Sequence, residues 1–341
     1  MVTVERTVTP KLEPQPVAAS VDELLEGATL REHMGKSSDS LSGSTFERAL
    51  IDGRPFVVKH MHVDDDWIAR ATGDLYCRPV IAWRSGLLHA LPPSIDHCIV
   101  GAAGGLGRGG FGGALLLRDV AVDLLPEGDE VMTLEQHSQF VEHIADLHVE
   151  FWGWEDTIGL QSLAARLYEL SPVTGDSEAA RGGTDVVPQL LRPGWQRLLT
   201  DVPKSGRLAW DLLANPYPLI DAASCGPQTF IHGDLKAGNL GLTADGRTIL
   251  LDWAVPGQAP GLLDLPWYLA VNCDRLPETK EVSIERYREA LEARGIATSD
   301  WWDEQLGLSM IFGFMQMAWS KQGPELEWWD ARVQEATCYL K

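Results

Sequence analysis

The chain has 341 residues, 45% of them hydrophobic and 23% charged, and carries a net charge of −21. It is too long for one compact core and too apolar for a disordered chain, which implies two domains or one large two-lobed unit. The excess of acid speaks against binding nucleic acid or an anionic membrane, because no basic field is present to replace phosphate counterions, whereas a cationic small molecule would be favoured.

In chain order, residues 1–20 are polar and contain prolines, have no apolar signal region, and are expected to form a disordered start. Residues 21–120 then read as a β-rich lobe. Residues 28–61 give strand, Gly/Ser loop, strand, turn, strand, and the turn Asp52-Gly53-Arg54 marks a hairpin into the β-branched run Phe56-Val57-Val58. Helical periodicity follows over residues 79–91 at Val80, Trp83, Leu87 and Leu88. Two further strands, residues 95–102 and 114–120, flank a glycine-dense segment. From residue 121 to 341 the pattern is mainly helical. Thr133 and Gln136 form a capping box ahead of the apolar stripe Leu134, Phe140, Ile144, Leu147 and Phe151. Residues 171–188 are rich in Gly, Ser, Pro and Asp and read as a surface loop. Ile284, Tyr287 and Leu291 mark a helix stopped by Gly295, and Asp300 is placed as the cap of another whose residues 306–319 are apolar all round. Cys77, Cys98, Cys225, Cys273 and Cys338 are scattered, odd in number and without a Cys-x-x-Cys pair, which points to a reducing, cytoplasmic setting. No run approaches the length of a membrane span.

The strongest signal is Ile231-His232-Gly233-Asp234-Leu235-Lys236-Ala237-Gly238-Asn239, with Leu250-Leu251-Asp252-Trp253 beyond it. Phosphoryl transfer needs a carboxylate near the acceptor hydroxyl and oxygen ligands for the magnesium that neutralises a triphosphate. An Asp five residues before an Asn puts base and metal ligand on one turn. A second Asp ending the next short strand completes the metal site.

This His-Gly-Asp with Asn at plus five, followed by a Leu-Asp-Trp strand end, resembles the aminoglycoside phosphotransferase and choline kinase family. The resemblance implies an α+β, protein-kinase-like fold, with a β-rich nucleotide-binding lobe and a helical lobe carrying the catalytic loop and acceptor site. It implies Asp234 as catalytic base, Asn239 and Asp252 as magnesium ligands, and His232 as a buttress of the loop. Lys59, ending the strand Phe56-Val57-Val58, matches the family's phosphate lysine, and Gly35 and Ser42-Gly43-Ser44 match its phosphate turn, where backbone N–H groups can approach. Residues 115–120 resemble the hinge that meets the adenine, with Leu117, Asp119 and Val120 as its candidates. Asp264, in Leu262-Leu263-Asp264-Leu265, resembles the residue that holds the catalytic loop by accepting its backbone N–H bonds. The family's helical Glu partner for the lysine is missing, since no Glu occurs between Glu47 and Glu127; Asp74 is the first substitute and Asp66 the second.

Gly105-x-Gly107-x-x-Gly110 matches a dinucleotide fingerprint in spacing, yet it lies between two strands and reads as a hairpin. His60 and His62 lack a third metal ligand nearby in sequence. The expected donor is ATP or GTP, with magnesium. The expected acceptor is a cationic or polyhydroxylated small molecule, an aminoglycoside, amino sugar or sugar, with choline or ethanolamine as the alternative. Its candidate contacts are Trp152, Asp156, Asp300, Asp303 and Glu304, where acid and tryptophan coincide. A catalytically silent nucleotide-binding protein is the alternative class, motivated by the missing Glu. A kinase of protein substrates is disfavoured, because Gly233 replaces the arginine that senses activation-loop phosphate in that group.

Overall fold

In the computed structural model, which describes residues 10–35 and 43–340, the chain forms a sheet-bearing lobe over a larger helical one. A short helix, α1 (Val21–Leu24), precedes three strands, β1 (Ala28–Met34), β2 (Thr45–Ile51) and β3 (Arg54–His62). Two helices follow, α2 (Trp67–Ala71) and α3 (Arg78–Arg84), and then strands β4 (Ile95–Asp96), β5 (Ile99–Leu106) and β6 (Gly112–Arg118). The five-stranded antiparallel sheet has the order β1-β2-β3-β6-β5, so β3, which carries Lys59, is central. The β2–β3 turn is the expected one, with Asp52 and Gly53 both at positive φ. The glycine segment is likewise a hairpin, in which Gly105, Gly107, Gly109 and Gly110 take positive φ between β5 and β6.

Two expectations about this lobe need correction. Of the start expected to be disordered, residues 10–20 run along the lobe: Gln15 N–H donates to Arg84 O, Trp83 Nε1–H to Pro16 O and Ala18 N–H to Ala102 O. Backbone pairing and a buried indole hold a stretch whose composition gave no strand signal. Residues 1–9 lie outside the described residues. The single strand expected over residues 95–102 is broken, because Asp96 accepts the Cys98 N–H at 2.9 Å and Cys98 turns to φ 57°. Its first part, β4, leaves the large sheet and pairs in parallel with a strand of the other lobe, while Arg118 and Arg247 both reach Asp96.

The helical lobe begins with α4 (Leu134–Glu150), whose Thr133–Gln136 capping box forms as expected. It continues through α5 (Leu163–Glu169), α6 (Pro172–Ala180), α7 (Val186–Asp201), α8 (Pro203–Ala214) and α9 (Tyr217–Ser224). Then come short strands β7 (Thr229–Ile231), β8 (Leu240–Leu242), β9 (Thr248–Leu250) and β10 (Gly257–Ala259), and helices α10 (Asp264–Val271), α11 (Lys280–Ala293), α12 (Trp302–Met317) and α13 (Gly323–Ala336). Strand β9 lies between β4 and β8, so the partner of β4 is the strand that leads to Asp252. Part of the segment expected to be a loop, residues 171–188, is α6. Ser171 caps it through Val173 N–H, Pro172 occupies its first turn, and Gly175 lets it press on α7, since a Cβ there would meet Pro188 O at 2.8 Å. Asp300 does not cap α12, whose cap position is Trp301 with no side-chain bond; α12 is held instead by burial of most of its residues, as its apolar composition implied. One core of buried side chains runs from Trp83 and Leu87 of the upper lobe to Phe312 and Trp329 of the lower. Among the described residues no helix is long and apolar enough to cross a membrane.

Candidate active site

The loop that carries the His-Gly-Asp motif leaves β7 at Ile231 and is held through its backbone N–H groups. Asp264, fully buried at the start of α10, accepts the N–H of His232 at 2.8 Å and of Gly233 at 2.7 Å. His148 Nε2 meets the same carboxylate at 3.2 Å, and Tyr287 Oη meets His148 Nδ1 at 2.6 Å. Burial opposes the charge of Asp264, but the hydrogen bond and charge of His148, with His232, hold its carboxyl below the usual range. Asn272 closes the loop's far side, taking Ala237 N–H on Oδ1 and donating from Nδ2 to Leu235 O.

His232 is also fully buried, and burial depresses its pKa. Leu251 O can only accept, so Nε2, 3.0 Å away, is the protonated nitrogen, leaving Nδ1 to accept the Asp234 N–H at 3.2 Å. One neutral imidazole thus ties the residue before Asp252 to Asp234. Asn239 joins the same two segments: its carbonyl accepts Leu251 N–H at 2.9 Å, and its Nδ2 donates to both O and Oδ2 of Asp234, each at 2.9 Å. Both of those partners are acceptors, which fixes the amide orientation and turns Asn239 Oδ1 away from Asp234. The other carboxylate oxygen, Asp234 Oδ1, accepts the indole N–H of Trp267 at 3.1 Å, and Lys236 Nζ lies 4.0 Å from Oδ2.

Asp252, two residues beyond β9, has φ 61°, a left-handed conformation that Asp tolerates better than most residues and that marks constrained functional positions. Its Oδ1 meets Lys59 Nζ at 2.6 Å, across 193 positions of sequence. Burial opposes ionisation of Asp252, while Lys59 and Lys236 together hold its carboxyl below the usual range. An Asp carboxylate and the outward Asn239 oxygen suit magnesium, which takes one or two protein ligands and fills its shell with phosphate and water oxygens. Among the described residues no group of three His, Cys, Asp or Glu side chains could hold a metal by itself.

Lys59 is 7% exposed and opens into a cleft lined also by Ser44, Met61, Asp66, Cys77 and Ala254. Ser44 Oγ is buried there and has no hydrogen-bond partner among the described residues. Gly43 lies so close to the chain that a Cβ would meet Asp65 O. Ser42 falls outside the described residues. The salt-bridge partner of Lys59 is Asp252, not Asp74. Asp74 is committed to the N–H groups of Tyr76 and Arg78, at 3.3 and 2.8 Å. Asp66 caps α2 through Ile68 N–H and Ala69 N–H; burial raises its pKa and the charge of Lys59 opposes the rise. Both line the cleft of Lys59, and Asp66 is the one on whose carboxyl the charge of Lys59 acts. Lys59→Ala should raise the nucleotide KM about tenfold, the loss of roughly one charge-assisted contact of 1.5 kcal/mol. Asp66→Asn should reproduce part of that rise and Asp74→Asn none; the reverse order in nucleotide titrations would restore Asp74.

At the expected hinge, Leu117 pairs within the sheet and Val120 is buried beside Cys98 and Ile249. The Asp119 side chain accepts Ala121 N–H and lies 3.5 Å from Arg48, so any adenine contact there belongs to the backbone.

The candidate acceptor residues each have partners of their own. Trp152 packs on Trp301, ring centroids 5.7 Å apart, in a small pocket whose lining includes no catalytic-loop residue. Asp156 caps a turn through Ile158, Gly159 and Leu160 N–H. Asp300 and Asp303 are exposed, and the charges of Asp303 and Glu304 act on Tyr339 near the C-terminus. The aromatic ring that does touch Asp234 is Trp267. The sequence placed it beside Asp264 but offered no sign that one helical turn would aim its N–H at the catalytic carboxylate.

No protein-family model matches the chain, and no curated protein matches it. Solved structures of similar shape include the choline kinase LicA from Streptococcus pneumoniae, with 13% identity over 94% of this chain and 95% of that one and a TM-score of 0.48. An aminoglycoside phosphotransferase from Alicyclobacillus acidocaldarius has 15% identity over 96% of each chain, TM-score 0.46. A choline/ethanolamine kinase family protein from Mesorhizobium loti has 13% identity over 95% of this chain and 92% of that one, TM-score 0.47.

Proposed function

We propose that the chain is a small-molecule kinase, transferring the γ-phosphoryl group of ATP or GTP to a hydroxyl of an aminated or polyhydroxylated acceptor. The observation that carries this reading is the contact of Lys59 with Asp252 across the two lobes, with Asn239 bonded both to the residue before Asp252 and to Asp234, which Trp267 also holds. Magnesium, when bound with the triphosphate, would neutralise charge on the transferred group. Asp252 and Asn239 Oδ1 would hold it. Lys59 would bind the phosphates, its ammonium exchanging part of the Asp252 contact for phosphate oxygens. Asp234, steadied on both oxygens by Trp267 and Asn239, would orient the acceptor hydroxyl and take its proton as the bond to phosphorus forms. These side chains position groups and supply charge, and no covalent intermediate is required.

The test is nucleoside diphosphate release over a panel of aminoglycosides, amino sugars, sugars, and choline or ethanolamine analogues. Acceptor-stimulated, magnesium-dependent release is the expected result. A chain that binds the triphosphate and transfers phosphate neither to any of them nor to water would favour the silent nucleotide-binding alternative.

A further inference from the structure

Arg166 lies on α5 and is 3% exposed, an unusual place for a guanidinium. Its Nη2 donates to Val255 O at 2.6 Å and its Nη1 to Gly233 O at 3.3 Å. Gly233 immediately precedes Asp234, and Val255 stands three residues after Asp252. One rigid planar fork therefore spans the catalytic loop and the loop that carries the metal-site carboxylate, a geometry lysine cannot reproduce. Burial works against the charge, lowering the Arg166 pKa, and Glu169, Asp264 and Asp234 oppose that effect. Glu169, 4% exposed, is the largest of these countercharges and is itself held by Gln161 Nε2 at 2.9 Å. A buried charge pair contributes little to stability compared with apolar packing, so its presence here calls for another reason. Gly233 supplies a further observation. It has φ +85°, and a Cβ on it would lie 2.5 Å from Arg166 Nη2 and 2.5 Å from Val255 O. The glycine of the His-Gly-Asp loop thus makes room for this guanidinium as well as for the turn.

We propose that Arg166 is a positioning residue for phosphoryl transfer, clamping Gly233 and Val255 so that Asp234 and Asp252 keep a fixed separation. The proposal rests on the kinase reading for its catalytic consequence, but the clamp can be tested without it. Arg166→Gln alone would strand Glu169, so the informative protein is the Arg166→Gln/Glu169→Gln double variant, which removes both charges. In hydrogen exchange its amides in residues 234–236 and 253–255 should exchange about tenfold faster or more, with the five-stranded sheet unchanged. With an acceptor in hand, kcat should fall by roughly 100-fold, the scale of an ångström of misplacement, while the nucleotide KM stays within about threefold because Lys59 is untouched. Arg166→Lys should recover part of kcat, since one ammonium can reach one carbonyl. Wild-type exchange in both segments, or a wild-type kcat in the double variant, overturns the clamp. Faster exchange supports the clamp even if the wild-type protein transfers phosphate to no acceptor, a result that would count against the kinase reading instead.

Discussion

Asp252→Asn is expected to lower turnover on the order of 10³-fold, the scale on which one transition-state charge contributes to phosphoryl transfer. The asparagine is the better probe than alanine. Asp252 sits at φ 61°, where asparagine is tolerated, while alanine would add about 1 kcal/mol of backbone strain. Either variant leaves Lys59, with 9% of its side chain exposed, without its partner at 2.6 Å. Breaking a buried pair costs about 3–5 kcal/mol, but Asp252 keeps 26% of its side chain exposed and the charge of Asp66 acts on the same lysine, so the loss should fall below that range. A thermal melt measures the stability loss and a rate at saturating magnesium and triphosphate measures the chemistry. Unchanged turnover there would remove Asp252 from the metal site.

Asp234→Ala should cost roughly 10²–10⁴-fold in kcat, the range of a positioned general base, and leave the nucleotide KM near its wild-type value. Here alanine is the cleaner choice. An asparagine would set its own amide against Asn239 Nδ2 or Trp267 Nε1, both donors, and so disturb the metal-site residue as well. With alanine, Asn239 retains its bond to the residue 234 carbonyl. A kcat within about tenfold of wild type would mean that another group takes the proton.

The two predictions differ in how far the sequence could reach. His232, Asp234 and Asn239 lie within eight residues, and Asp252 follows two residues after β9, the strand that leads back to the loop, so the spacing of the motif pointed to one site. The loop-holding role of Asp264 was legible too, through the family resemblance, and its two backbone contacts are present. Local rules were sufficient for the Thr133 capping box and the Asp52-Gly53 hairpin because both are decided within four residues. They failed at α6, where the composition suggested a loop and the decision lay in packing: Gly175 against α7, and Glu178 in a bidentate pair with Arg70 of α2.

Tertiary structure alone decided which charges meet. The sequence put Asp74 ahead of Asp66; in the fold each is taken up at a helix start, Asp74 at α3 and Asp66 at α2, and the charge of Lys59 acts on the Asp66 carboxyl. The partner of Lys59 is 193 residues away, and Arg166 is 67 and 89 residues from the two carbonyls it joins. No periodicity or spacing encodes such contacts, because they depend on how whole helices and strands pack and not on the preferences of neighbouring residues. The acceptor candidates show the same limit. Trp152, Asp303 and Glu304 share a lobe and a composition, but a helix presents its residues all round, and packing decided that Trp152 meets Trp301, that the charges of Asp303 and Glu304 act on Tyr339, and that Trp267 meets Asp234.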